Sequence, residues 1–138
     1  MDLVASAREL AFRAHAHQRD QAGRPYVEHL ERVAKAVEGD RDAEIVAWLH
    51  DLLEDQPAYG HELLRFPQPI QYAVQLLTYS RGMDRAAYYA RIRDDRLARA
   101  VKIADVQDNA DESRLSQLAP ATASRLRGKY AKALASLS

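Results

Sequence analysis

The sequence contains no cysteine. That absence excludes disulfide frameworks, thiolate zinc sites and cysteine nucleophiles together, so any metal would have to be held by histidine and carboxylate. Net charge is also missing: 20 lysines and arginines balance 20 aspartates and glutamates in 138 residues. No global field draws such a chain onto nucleic acid or anionic lipid, and a phosphate-binding function must come from a local cluster. Long apolar runs are absent too. Nothing approaches the ~20 residues needed to cross a bilayer, and the N-terminal stretch MDLVASARELAFRAHAHQ scatters charges where a secretory segment would be uninterruptedly apolar. These absences predict a cytoplasmic protein that binds neither nucleic acid nor membrane. Alternating runs of Val, Ile and Thr are lacking as well, which leaves no convincing strand.

Apolar residues recur at three- and four-residue spacing almost throughout. This predicts an all-α fold, a single domain over residues 1–138 built as a compact bundle of about six or seven helices. The first helix is expected over roughly 2–18, ending before the loop RDQAGRP, where Gly23 and Pro25 break the pattern. The second runs from about Tyr26 to Glu38. The third, roughly 43–55, can be capped by Asp40 or Asp42 and is stopped by Pro57 and Gly60. Others are expected near 68–79, near 84–93, after a cap at Asp94 or Asp95, and from Pro120 to the C-terminus.

The segment WLHDLLED (48–55) sets His50 and Asp51 side by side and follows them with Glu54 and Asp55, inside what reads as a core helix. At about 100° per residue the four would share one side, opposite Ile45, Trp48, Leu49 and Leu52. A solvated helix end would carry the same residue types. His29 lies on the apolar stripe of the second helix, where a satisfied core histidine is equally at home. Asp105 lies on the inward stripe of its helix, among Ala98, Val101 and Ala104, and an inward carboxylate calls for something positive opposite it. Three helices would thus aim His29, the His50-Asp51 pair and Asp105 at one interior. Two imidazoles and two carboxylates suit one divalent ion, Mn²⁺ first, with Fe²⁺ or Zn²⁺ as alternatives. Glu54 and Asp55 would then deprotonate a metal-activated water or steer a leaving group. His15 and His17 read as partly exposed helix residues. Tyr72, Tyr79, Tyr88 and Tyr89 carry no functional reading.

The order His29, His50-Asp51, Asp105 resembles the H…HD…D signature of HD-domain metal-dependent phosphohydrolases. More narrowly, GRPYVEHLERVA (23–34), AWLHDLLED (47–55) and VKIADVQDN (101–109) are similar to three motif segments of the (p)ppGpp hydrolase domain of RelA/SpoT-type enzymes and their small stand-alone relatives. The resemblance covers roughly residues 7–110 in order and spacing. It implies an HD-type bundle with His29, His50, Asp51 and Asp105 as metal ligands and Glu54 and Asp55 as the catalytic acidic pair. It also implies a nucleotide substrate contacted by Tyr26, Lys102 and Asn109, and leaves a homodimer compatible with the chain. Packing, snorkelling to solvent and helix capping are the plainer roles open to those three residues.

One departure bears on the substrate. Where the resembled hydrolases carry an Arg-Lys pair nine and eight positions ahead of the first histidine, this chain has Asp20 and Gln21. Arg19 and Arg24, in the same loop, are the candidates to replace those cations. The expected activity is hydrolysis of a phosphate or pyrophosphate ester of a nucleotide, most like a (p)ppGpp 3′-pyrophosphohydrolase. Hydrolysis of another nucleotide, or a non-catalytic nucleotide-binding module, are the alternatives. The segment after Asn109 reads as a terminal helical hairpin.

Overall fold

The computed structural model describes residues 2–138. Among them the regular structure is all helical: α1 (Leu3–Ala14), α2 (Val27–Ala36), α3 (Arg41–Leu49), α4 (Leu52–Asp55), α5 (Gln68–Leu77), α6 (Arg85–Arg93), α7 (Arg96–Asn109), α8 (Glu112–Leu115) and α9 (Pro120–Leu137), with a 3-10 segment at Pro57–Arg65. Two of the nine, α4 and α8, are single turns of 4 residues; the other seven run 9 residues or more and match the helices the spacing predicts. Among the described residues no helix is long and apolar enough to cross a membrane.

Aspartates start most of these helices. The side chains of Asp2, Asp40, Asp84 and Asp95 accept from Val4, Ala43, Ala87 and Ala98, satisfying amides that the first turn leaves without partners. Gly39, at φ +101°, turns the chain after α2 in a conformation other residues rarely adopt. Two helices form the middle of the bundle. α3 packs on α1, α2, α5 and α7, and α7 packs on α2, α3, α5, α6 and α9. Accordingly Ile45 through Leu49 are all buried, and α7 buries Leu97, Ala98, Val101, Ala104, Asp105 and Val106. The terminal hairpin proves uneven, a single turn followed by an 18-residue α9 that closes over α6 and α7.

Two expectations are corrected. The helix read over 43–55 is interrupted: α3 ends at Leu49, Asp51 leaves helical geometry (φ −102°, ψ 4°), and α4 begins at Leu52. Beyond it Pro57 opens the 3-10 segment, since proline suits a first helical position where no amide donor is needed. The first helix stops at Ala14, so His15 sits in the turn that follows and is only 1% exposed, packed against Tyr26 with ring centroids 5.6 Å apart. His17 is exposed as expected.

Candidate metal centre and active site

The break at His50–Asp51 points both side chains toward the α2–α7 contact, and the four residues read as ligands converge there. Ligand-type atoms of His29, His50 and Asp51 all lie within 4.8 Å of one another. Asp105, from α7, completes the group: its Oδ1 stands 2.9 Å from His29 Nε2 and 3.5 Å from His50 Nε2. Burial is deep, with His29, His50 and Asp105 at 4%, 2% and 7% exposure, so mutual attraction is weakly screened here.

His50 is the most informative member. Its Nδ1 lies 2.6 Å from the Ala47 carbonyl, which can only accept, so the proton belongs on Nδ1. Nε2 is sealed from solvent without a hydrogen-bond partner, with Asp51 Oδ2 3.2 Å and Asp105 Oδ1 3.5 Å away. A buried imidazole nitrogen left unsatisfied is costly, and a proton held against the two carboxylates or a ligated cation removes that cost. Burial by itself works against a charged His50 ring, but the carboxylates of Asp51 and Asp105 outweigh it and raise its pKa to about 9. Asp105 is driven the other way: burial favours its neutral form, yet the bond to His29 and the nearby charges of the His50 ring and Lys102 hold it well below the usual carboxylate range.

The surrounding roles separate. Tyr26, at the start of α2, donates its hydroxyl to Asp51 Oδ2 at 2.5 Å and so holds that carboxylate in place. Lys102 Nζ bonds Asp105 Oδ2 at 3.1 Å and Asn109 Nδ2 reaches Asp105 Oδ1 at 3.4 Å. Both also border a cleft of about 230 Å³, with Asp51, Glu54, Arg85, Lys129 and Tyr130 on its walls. On the other side of His29 lies a second cleft, of about 480 Å³, between the 19–26 segment and α9; Asn109, Lys129 and Tyr130 line both.

Glu54 and Asp55 do not share one face. Glu54 reaches the first cleft and accepts from the Tyr79 amide at 2.7 Å; Asp55 lines neither cleft and accepts from Gln18 Nε2 at 3.0 Å. The cause is the break at Asp51, which restarts the helix and turns Asp55 toward the end of α1. Gln18 itself is bonded by His15 and Gln56, a small polar cluster behind the histidine-carboxylate group. Both carboxyls have pKa values raised above their ordinary ones, first by desolvation and then by neighbouring carboxylates. Glu54 is exposed by overall area, but the cleft walls still strip water from its carboxylate.

The two loop arginines are both engaged within their own segment. Arg19 borders the second cleft but donates to the Gly23 carbonyl at 2.9 Å, while Arg24 pairs with Glu28 at 2.6 Å on the surface and lines neither cleft. Asp20 accepts from the amides of Ala22 and Arg24, fixing the turn at Gly23 (φ +81°). Free cations come instead from residues not singled out in the sequence. Arg85 on α6, and Arg125 and Lys129 on α9, pair with no carboxylate among the described residues and face the clefts. Asp108 is the other addition, bonded to His29 and to two arginines. Its signal was the i,i+3 spacing from Asp105, which puts both carboxylates on one helix face. Tyr79, Tyr88 and Tyr89 meet edge to face with centroids 5.1 and 5.2 Å apart and line the first cleft, and Tyr72 is exposed.

No family model matches the chain, and no curated protein matches it either.

Proposed function

We propose that this protein is a metal-dependent phosphohydrolase that cleaves a phosphate or pyrophosphate ester of a nucleotide. The observation that carries the reading is His50 Nε2, buried and without a partner among three other groups of ligating type. The donor set fits one divalent ion: His29, His50, Asp51 and Asp105 would hold it, Mn²⁺ first, with Fe²⁺ or Zn²⁺ as alternatives. When bound, such an ion polarises a phosphoryl oxygen and acidifies water at neutral pH.

The chain's own groups do the rest. Glu54, at the cleft edge, takes a proton from the attacking water; desolvation and the charges of Asp51 and Asp55 raise its pKa toward the range a general base needs. Asp55 supports Glu54 through that charge, held in place by Gln18. Lys102 holds Asp105 against rotation, and Tyr26 does the same for Asp51. Arg85, Arg125 and Lys129 receive the phosphates of the substrate.

The first candidate substrate is (p)ppGpp, cleaved at the 3′-pyrophosphate. Use of Asp20 and Arg24 within their own loop favours a second reading, a nucleotide whose phosphates all lie on the α6–α9 side. A Mn²⁺-loaded assay over a nucleotide panel separates them. Pyrophosphate released from ppGpp, and lost in Glu54→Gln, supports the first; turnover of nucleotides phosphorylated at one end, with ppGpp inert, supports the second. No turnover of any member with Mn²⁺, Fe²⁺ or Zn²⁺ overturns both.

A further inference from the structure

We propose that Asp108, which is outside the ligand set, fixes His29 as a metal ligand and sets how tightly the site takes its ion; this rests on the metal-centre reading above. The two nitrogens of His29 face two different carboxylates. Nε2 looks at Asp105 Oδ1 across 2.9 Å, on the side where His50 lies, and Nδ1 looks at Asp108 Oδ2 across 2.7 Å. The nitrogens of an imidazole project to opposite edges of the ring, so Asp108 cannot share an ion with His50 and Asp51 while it bonds Nδ1. What it can do is accept the Nδ1 proton. That bond settles which nitrogen offers a lone pair, stops the ring from flipping and makes Nε2 a stronger donor.

The surroundings of Asp108 are built for this use. Its side chain is 11% exposed, Arg32 Nε holds Oδ1 at 2.8 Å, and Arg114 Nη2 approaches the same oxygen at 3.0 Å. One oxygen is thereby taken by the two guanidinium groups and the other is left to the histidine. A carboxylate serving only to tie α7 to α2 would need Arg32 alone. The third partner, buried and at short range, is the ligand itself. The rows of contacts around His50 and His29 then follow one pattern: each ring has an acceptor on Nδ1, the Ala47 carbonyl for one and Asp108 for the other, and each leaves Nε2 toward Asp105.

Titration of metal-free protein with Mn²⁺ by calorimetry tests the assignment on wild type, Asp108→Ala and Asp108→Asn. Loss of such an outer carboxylate weakens metal binding by about 10–100-fold, which is the result expected for Asp108→Ala. Asp108→Asn keeps an acceptor oxygen for Nδ1 and should lose less. In Zn²⁺-loaded protein, which is diamagnetic, the His29 Nδ1 proton should be slow to exchange in wild type and fast in Asp108→Ala; if the alanine variant does not fold, its shift in Asp108→Asn gives the same answer. Wild-type affinity in a folded Asp108→Ala, or an unmoved Nδ1 proton, overturns the role of Asp108 alone. A wild-type protein that takes up none of Mn²⁺, Fe²⁺ or Zn²⁺ overturns the metal centre itself and Asp108 with it.

Discussion

The two walls that flank the His29, His50, Asp51 and Asp105 cluster are both rich in charge and differ in whether that charge is available. In the 19–25 loop each charged side chain is engaged close by: Arg19 with Gly23, Asp20 with the Ala22 and Arg24 amides, Arg24 with Glu28. On the α6–α9 wall, Arg85, Arg125 and Lys129 face the clefts without a described carboxylate to pair with. Lys129 feels this directly: burial first, then the charges of Arg85, Lys102 and Arg125, lower its pKa. A cluster of like charges that repel one another in the free protein is relieved when an anion enters. The number of basic residues in a segment therefore says little about where a phosphate goes; the partners those residues already have decide it.

The sharpest ways to break this comparison begin at the ligands. His50→Ala should abolish bound Mn²⁺ and all hydrolysis, read by metal analysis and the nucleotide panel. Glu54→Gln should keep the ion and lower kcat by about 10²–10⁴-fold, the range of general-base loss. Lys129→Ala should raise KM by about 10–100-fold, because a charge-assisted hydrogen bond is worth about 1.5–3 kcal/mol, with kcat little changed. Arg24→Ala on the other wall should shift KM by less than about twofold, as befits an exposed ion pair. Equal effects of the last two would erase the difference between the walls. Installing basic residues by Asp20→Arg with Gln21→Lys should not improve binding of ppGpp, and should cost about 1 kcal/mol of stability by removing the acceptor for two loop amides.

Acidity offers an independent check. In the metal-free protein His50 has a pKa raised from 6.5 to about 9, so its charge pairing stabilises the fold fully below pH 6.5 and is lost as the pH climbs through 9. Melting temperatures of metal-free protein should fall over that interval. With Mn²⁺ present the trend should reverse, since the ion needs the neutral ring and binding releases a proton.

The long helices were legible because they depend on local facts, apolar spacing and an aspartate at the start. Of the caps offered as alternatives, Asp40 or Asp42 and Asp94 or Asp95, the structure uses Asp40 and Asp95. Convergence of His29, His50, Asp51 and Asp105 was legible from the stripes they share with core residues. What stayed hidden was set at long range. The interruption at His50–Asp51 is a small departure in a segment whose residues all suit helix, and it divided Glu54 from Asp55 in a way no projection on a regular helix could foresee. His15 became core because the first helix stopped early and Tyr26 packed over it. Asp108 found His29 across 79 residues of chain, and the cations of α9 acquired meaning only when that helix closed over α6 and α7.

Anomalous diffraction at the manganese edge, from crystals grown with Mn²⁺, tests the central claim most directly. One strong peak is expected per chain, within ligand distance of His29 Nε2, His50 Nε2, Asp51 and Asp105, and absent from His50→Ala crystals. Density for an ordered protein with no peak between those four side chains, or a peak that survives the loss of His50, would contradict it.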